Sequence, residues 1–201
     1  MLNAIEGAQA RILRFLWRSR TEWGGREIAR KVGLSAPACH ETLKKLATRG
    51  LLHFRRVANL HLYKINPENY LVKNVFARQF IAESAIPKQA VITVRKSFAD
   101  ASKFGVISIV LFGSMARGTA RLGSDFDILI VLSKKKNAKD LAPRVERLRD
   151  LLFKRFSIPL SPYIQTLFEL KRKRRKKVPL IHEIFKDGRT IYGKDIRELL
   201  A

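Results

Sequence analysis

The apolar positions at the start of the chain follow a helical period. Four of them mark one face of a predicted first helix: Ile5, Ala8, Ile12 and Leu16. Trp23-Gly24-Gly25 interrupts this pattern, and a second, short helix is predicted from Arg26 to Val32. Gly33 ends the second helix, because glycine adopts the left-handed conformation of a helix C-terminus without a steric penalty.

A third helix and a β-hairpin are predicted next. Ser35 is a suitable N-cap and Pro37 fits the first helical turn, so the third helix begins there and extends to about Arg49. Residues 51–56 and 60–65 are two short segments of apolar, aromatic and basic side chains, which predicts two strands joined by a turn near Val57–Asn59.

Linking helices are predicted over residues 67–102, with a break after which Ser84 and Pro87 start a new helix. The pattern then changes at Val106. Two short runs of β-branched and aliphatic residues, at 106–112 and 125–131, predict buried strands.

Beyond these strands, the pattern predicts a solvated outer helix from about Asn137 to Phe153 and a strand at 160–166. An unbroken run of cations follows from Lys171 to Lys177. Like charges on adjacent turns destabilise a helix, so this run calls for a reason other than helix formation.

Composition narrows the classes of function. The 201 residues contain 41 Lys and Arg against 17 Asp and Glu, a net charge of +24, while 46% are hydrophobic. The hydrophobic content is enough for a packed core, and the charge favours a polyanionic partner. Both the first 75 residues and the remainder are basic, so a polyanion can bind either part.

Several other classes are disfavoured. The longest uncharged stretch near the middle, Gly105 to Ala116, is shorter than the roughly 20 residues of a spanning helix. Glu6 and Arg11 lie where a signal peptide has its apolar segment, so we expect a cytoplasmic protein without a membrane partner. Cys39 is the only cysteine, which excludes an internal disulfide and a cysteine-rich zinc site.

The predicted elements follow the order helix, short helix, turn, helix and hairpin. This order, together with the sequence from Gly25 to Gly50, resembles the winged helix-turn-helix family. The resemblance implies that the helix after the turn enters the major groove of duplex DNA and that the hairpin contacts its backbone. It assigns seven outward residues to DNA binding: Ser35, Pro37, His40, Lys44, Lys45, Arg55 and Arg56.

Two alternatives to DNA binding stay open for this module. Winged helices also act as dimerisation or protein-docking modules, and Glu41 on the same face disfavours phosphate. By analogy with winged-helix DNA binders, a homodimer is expected.

A second set of residues suggests phosphate chemistry. Asp125 and Asp127 alternate on one strand, so their carboxylates point to the same side, and hard oxygen ligands of this kind suit Mg²⁺. Gly113 allows the backbone to approach a phosphate, Ser114 adds a hydroxyl, and Arg117 lies one turn further on.

Phe112-Gly113-Ser114, the segment 115–124 and Asp125-Phe126-Asp127-Ile128 together resemble the signature of nucleotidyltransferases of the DNA polymerase β superfamily. The resemblance covers about residues 85–195 and is closest to the minimal enzymes of bacteria and archaea, some of which are antitoxins beside a HEPN-type toxin. It implies catalytic, metal-binding carboxylates at Asp125 and Asp127. It also implies an NTP substrate, with ATP expected, Mg²⁺ or alternatively Mn²⁺, and a toxin protein as a partner. The nucleotide-binding residues that it implies are Gly113, Ser114, Arg117 and Ser124.

One departure from the family pattern concerns the third carboxylate, which usually lies on a later strand. The matching strand, residues 160–166, contains neither Asp nor Glu, and Glu169 lies just beyond it. Three explanations stay open. Two aspartates suffice, Glu169 moves in from the next element, or the domain binds nucleotide without efficient transfer.

Together these patterns predict an α+β chain. A winged helix domain over residues 1–75 precedes a nucleotidyltransferase domain with a mixed sheet over 76–201. The predicted function is Mg²⁺-dependent nucleotidyl transfer to a tRNA, a protein hydroxyl or a small molecule, coupled to DNA binding. The alternative is a DNA-binding regulator or antitoxin whose second domain is weakly active or only binds nucleotide or partner. The cationic run suits an RNA or DNA substrate as well as a triphosphate, so RNA is a possible acceptor.

Overall fold

A computed structural model describes residues 7–120 and 123–200. The chain divides into two units, one ending at Ser84 and the other beginning at Ala85. Within the described ranges, no helix combines the length and the apolar character needed to cross a membrane.

The first unit opens with three helices whose ends follow the predicted signals. Helices α1 (Ala8–Ser19), α2 (Gly25–Val32) and α3 (Ala36–Thr48) pack around a buried core. Gly33 ends α2 in the left-handed conformation, with a φ of 66°. The Ser35 hydroxyl accepts a hydrogen bond from the Ala38 N–H, 3.4 Å away, so Ser35 caps α3 as predicted.

A three-stranded antiparallel sheet completes the helix-turn-helix of this unit. Its strands are β1 (Trp23–Gly24), β2 (Leu52–Val57) and β3 (Leu60–Ile65), in the order β1-β3-β2. The hairpin of β2 and β3 is the predicted wing. The short strand β1 was not predicted, because two residues are too few to show an alternation and both were interpreted as a break.

A buried ion pair fixes α1 against the end of the unit. Arg14 Nε and Nη2 donate to the Glu83 carboxylate over 2.7 and 2.8 Å, and Gln79 Nε2 donates to the same carboxylate over 2.9 Å. The Arg14 and Glu83 side chains are only 4% and 1% exposed. The pair therefore holds two charges inside the apolar core.

The predicted helix break at Ser84–Pro87 is wrong. A π-helical turn at Val72–Phe76 leads into one α-helix, α4 (Ala77–Ser97), which continues through Pro87, and a 3₁₀ turn follows at Ala101–Phe104. Proline removes one hydrogen bond from a helix interior. Burial of Ala90, Val94 and Phe98 on the following turns offsets that loss.

The second unit is built on a four-stranded mixed sheet. Its strands are β4 (Val106–Leu111), β5 (Phe126–Leu132), β6 (Leu160–Thr166) and β7 (Arg189–Gly193), in the order β6-β5-β4-β7. Strands β5 and β6 are parallel and the other pairs are antiparallel. The predicted α+β class and mixed sheet are confirmed.

Five further helices accompany this sheet: α5 (Gly113–Arg117), α6 (Asn137–Phe156), α7 (Leu167–Arg175), α8 (Pro179–Asp187) and α9 (Ile196–Leu200). One sheet face packs in a core with α6 and the later turns of α4. The helix predicted to be outer and solvated, α6, exposes one side and buries Leu141, Val145, Leu148 and Leu152 on the other.

The opposite sheet face packs in a separate core with α7, α8 and α9. Leu129 and Val131 of β5 contribute to it, together with Leu170 and Ile184 of the covering helices. Since alternate strand residues share a side, Asp127 faces the same way as Leu129 and Val131. Asp127 therefore lies on the sheet face that α7, α8 and α9 cover, near the beginning of β5.

Candidate functional site

Gly113, two residues after the end of β4, brings its backbone close to the Asp127 carboxylate. Its φ is +69°, and a Cβ added there would lie 2.2 Å from Asp127 Oδ2. The Phe112 N–H donates to the Asp127 carbonyl over 3.0 Å, which fixes the two segments side by side. Both the positive φ and the lack of space require glycine at this position.

Asp125 and Asp127 differ in their surroundings. Asp125, which was predicted to begin the strand, directly precedes β5 and is exposed, whereas Asp127 lies inside β5 and is half-buried. Burial, and then the charge of Asp125, raise the pKa of Asp127 above its usual value. A hydrogen bond from Ser161 and the charge of Arg117 act in the opposite direction.

Arg117, at the end of α5, carries a positive charge that acts on Asp127. Its guanidinium Nη1 lies 3.6 Å from Asp187 Oδ2, and its side chain is 42% exposed. Ser114 and Ser124 are half-buried on either side of the connection between β4 and β5. The nucleotide-binding residues predicted from the motif thus come from one connection between neighbouring strands.

The strand β6 brings Ser161 to Asp127. The two residues are register partners in the parallel pair of β5 and β6, and the Ser161 side chain makes a hydrogen bond to Asp127. Sequence reasoning searched this strand only for carboxylates and therefore missed Ser161. The pairing register that singles it out cannot be read from the sequence.

Glu169 is engaged elsewhere in this structure. It forms a capping box with Thr166 at the start of α7: the Thr166 N–H and hydroxyl each donate to Glu169 Oε2 over 2.9 Å. Hydrogen bonds from the Thr166 backbone and side chain lower the pKa of Glu169. The idea that Glu169 supplies the third carboxylate is therefore not supported by its position, since it stabilises a helix end.

The geometry around Asp127 suits a divalent cation. The carboxylates of exposed Asp125 and half-buried Asp127 lie two residues apart, and burial, followed by the charge of Asp125, raises the pKa of Asp127. Oxygen ligands and a coordination sphere completed by water and phosphate are what Mg²⁺ prefers. The part of the chain that the structure describes contains no cluster of three or more His, Cys, Asp or Glu able to hold a metal, so the protein would supply two ligands here.

The predicted DNA-binding residues form an exposed surface of the first unit. All seven are exposed: Ser35, Pro37, His40, Lys44, Lys45, Arg55 and Arg56. We call α3 together with the hairpin of β2 and β3 the recognition surface.

Two cations of the recognition surface carry carboxylate partners. Lys45 Nζ lies 2.6 Å from Glu41 Oε1, and Arg55 makes a two-pronged pair with Glu22, with an Nη2–Oε2 distance of 2.6 Å. Arg56 Nε donates to the Ala58 carbonyl over 3.0 Å. The Arg55–Glu22 pair was not predicted, because Glu22 lies far from Arg55 in the sequence.

Aromatic rings join the two elements of the recognition surface. His40 of α3 and His61 of β3 stack with ring centroids 6.3 Å apart, and Phe54 of β2 meets His61 edge-on at 5.3 Å. His61 and Phe54 were not predicted, since only the strand register places them beside His40.

Two family profiles match separate parts of the chain. The IclR helix-turn-helix domain matches residues 10–56, and the nucleotidyltransferase domain matches residues 91–188. These matches coincide with the recognition surface and with the segments that carry Gly113, Asp125 and Asp127.

Individual proteins resemble parts of the chain. The protein named "Putative protein adenylyltransferase MJ1305", from Methanocaldococcus jannaschii, is 39% identical over 98 residues, which is 46% of this chain and 64% of that protein. The homodimeric winged helix-turn-helix DNA-binding domain of a possible ArsR-family regulator from Mycobacterium bovis is 24% identical, covering 40% of this chain and 70% of that one, with a TM-score of 0.33.

A toxin–antitoxin structure with AMP-PNP is also similar in part. It is 14% identical, covers 55% of this chain and 80% of that chain, and has a TM-score of 0.35. Both structural likenesses are partial, so the family profiles and the site geometry carry the assignment. The chain is thus similar to helix-turn-helix domains over residues 10–56 and to nucleotidyltransferase domains over residues 91–188.

Proposed function

We propose that this protein transfers a nucleotidyl group from an NTP, with ATP as the expected donor, to an acceptor in a reaction that depends on Mg²⁺ or Mn²⁺. The observation that carries the proposal is the Gly113 backbone packed against the Asp127 carboxylate, with Asp125 beside it. A backbone without a side chain next to two carboxylates leaves room for a metal-bound phosphate.

Each residue of the site has a proposed part in this reaction. Asp125 and Asp127 hold the divalent cation, which when bound neutralises phosphate charge and orients the triphosphate. Gly113, Ser114 and Ser124 line the phosphates, and Arg117 balances their negative charge. Ser161 orients the Asp127 carboxylate through its hydrogen bond.

We also propose that the recognition surface binds duplex DNA, as a homodimer. Exposed Lys44, Lys45 and Arg56 suit phosphates, and His40 lies where it can reach a base edge. A toxin protein as partner and a cytoplasmic location belong to the same proposal, on the resemblance to antitoxin nucleotidyltransferases.

A second candidate function has an observation in its favour. Ser161 occupies the position aligned with Asp127, where a third carboxylate would be useful for deprotonating an acceptor. On this view the protein is a DNA-binding regulator or antitoxin whose second domain is weakly active or only binds nucleotide.

A transfer assay separates the two candidates. Labelled ATP, Mg²⁺, total RNA and cell protein are incubated with the wild type, with Asp127→Ala and with Asp150→Ala, an exposed residue of α6. We expect label transfer by the wild type and Asp150→Ala and a loss of at least a hundredfold in Asp127→Ala.

Label transfer that persists in Asp127→Ala contradicts the assigned site. A wild type that transfers no label but shifts duplex DNA from its own upstream region supports the second candidate. Repeating the gel shift with ATP and Mg²⁺ then shows whether nucleotide regulates DNA binding.

A further inference from the structure

The cationic run at the end of α7, Lys171–Lys177, is the longest unbroken run of cations in the chain. Three other cations of this unit meet carboxylates: Arg117 with Asp187, Arg144 with Asp100, and Arg149 with Glu146. None of the ion pairs found in the described ranges involves a member of the run Lys171–Lys177. Within those ranges the run is therefore without a carboxylate at ion-pair distance.

Two members of the run are held in the fold, and this fixes which side of α7 faces outward. Lys173 Nζ donates to the Tyr163 hydroxyl over 2.7 Å, and the Arg174 guanidinium lies 4.4 Å from the Phe185 ring centroid. The other five cations are exposed: Lys171, Arg172, Arg175, Lys176 and Lys177.

An aromatic side chain lies among the exposed cations. Phe168 is 75% exposed, which is unusual for a phenylalanine. Phe168, Arg172 and Arg175 are spaced by one helical turn each and so share a face of α7. We call Phe168 and the five exposed cations the α7 surface.

The last turn of α7 comes toward the level of the Asp127 site along β6. Helix α7 begins after the end of β6, yet Lys173 reaches back to Tyr163, so the helix runs antiparallel to β6. In the direction in which α7 runs, Ser161 lies about 7 Å beyond Tyr163 along β6, and one further turn of the helix advances about 5 Å. The last cations of the run therefore approach the level of Ser161, the register partner of Asp127.

Further cations lie at the opposite end of α7. Leu132, the last residue of β5, pairs with Thr166, so the residues that follow β5 lie near the start of α7. Consistent with this, hydrogen bonds from Thr166 lower the pKa of Glu169, and the charge of Lys135 adds to the effect. Lys134, Lys135 and Lys136 are all exposed. Positive charge thus extends along the whole helix, further than a triphosphate alone requires.

We propose that the α7 surface binds a single-stranded RNA whose terminal hydroxyl is the acceptor of the nucleotidyl group. Cations in line suit a phosphate backbone, and an exposed aromatic ring among them suits base stacking. This inference rests on the proposed transferase function.

In the transfer, the terminal hydroxyl oxygen bonds to the NTP α-phosphorus as the bond to pyrophosphate breaks. Pyrophosphate leaves with the electron pair, and the hydroxyl proton passes to water.

Binding is tested by fluorescence anisotropy with the full chain and a labelled single-stranded RNA of mixed sequence. The test variant is Lys171→Gln, Arg172→Gln and Lys176→Gln together. The control carries Lys139→Gln, Arg147→Gln and Lys154→Gln, the same charge change on exposed positions of α6. Glutamine keeps the helix propensity of lysine and arginine, so both variants should fold.

We expect the α7 variant to bind RNA at least tenfold more weakly, and its slope of log affinity against log salt to fall by about 2. The α6 control should stay within about threefold of the wild type. Phe168→Ala, which changes no charge, should weaken binding at least fivefold. Equal losses in the α7 and α6 variants would overturn the inference, because binding would then reflect net charge alone.

Two further measurements identify the ligand class and separate this inference from the transferase proposal. Duplex DNA, poly-glutamate or phosphatidylglycerol vesicles that compete as well as unlabelled RNA would contradict an RNA surface. Asp127→Ala should bind RNA as the wild type does but transfer no label. In the α7 variant, transfer to RNA should need at least tenfold more RNA and recover at saturation. Wild-type label on protein but not on RNA refutes the acceptor, whereas label on neither refutes the transferase proposal.

Discussion

The recognition surface and the α7 surface are both basic, but they hold their charge differently. On the recognition surface Lys45 and Arg55 each pair with a carboxylate, and inside the same unit Arg14 pairs with Glu83. No ion pair of this kind accompanies the α7 cations within the described residues, and Asp125 and Asp127 repel each other at the beginning of β5.

The difference in ion pairing indicates how each surface uses its positive charge to bind ligands. A surface cation that is paired with a carboxylate attracts phosphate less strongly than an unpaired one. A ligand has to displace that carboxylate, so the geometry of the pair selects which ligands bind. Unpaired charges of one sign attract any ligand of the opposite sign and are relieved when it binds. The net charge of +24 does not distinguish these cases, whereas the local pairing does.

The largest expected effect comes from breaking the buried pair of the first unit. Glu83→Gln leaves the Arg14 guanidinium uncompensated in the core, which should reduce the free energy of unfolding by about 3–5 kcal/mol. The measurement is urea unfolding followed by tryptophan fluorescence. Both tryptophans of the chain, Trp17 and Trp23, lie in this unit, so the signal reports on it selectively.

Glu68→Gln is the matched control, because Glu68 is exposed and should change stability by less than about 0.5 kcal/mol. An equally small change in Glu83→Gln would mean that the buried pair contributes little. The contrast between paired and unpaired surfaces would then hold only at the protein surface.

The next effect concerns the site of Asp125 and Asp127, whose like charges repel each other. Gly113→Ala places a Cβ against Asp127 Oδ2 and should lower nucleotidyl transfer about a hundredfold, measured as kcat/KM with labelled ATP. Gly118→Ala is the control: its φ of +72° imposes a similar backbone strain, but a Cβ there meets nothing within 4 Å. Equal losses in both variants would attribute the effect to backbone strain rather than to contact with Asp127.

The sequence predicts well what depends on local signals. Gly33 and Ser35 end and begin helices as their residue types require, and the hydrophobic runs locate the strands that carry Asp127 and Ser161. These features depend on neighbouring residues, so propensity and periodicity are sufficient to find them.

What the sequence does not reveal depends on pairing over long distances. The hydrogen bond from Ser161 to Asp127 follows from the register of β5 and β6, and the return of α7 toward the site follows from Lys173 meeting Tyr163. Pro87 lies inside a continuous helix because tertiary burial outweighs its local cost.

The smallest expected effect comes from removing the carboxylate partners on the recognition surface, which leaves its cations unpaired like those of the α7 surface. Glu22→Gln and Glu41→Gln together remove the partners of Arg55 and Lys45 and should strengthen binding to duplex DNA of any sequence by about three- to tenfold at low salt. Exposed ion pairs contribute little to stability, so the fold should be unaffected.

The measurement is a salt titration by gel shift, with Glu68→Gln as the control. A steeper salt dependence with a smaller preference for one sequence is expected, because the freed cations bind phosphates of any duplex. Unchanged affinity would show that these two cations already leave their carboxylates when DNA binds, and the difference between the two basic surfaces would then vanish on binding.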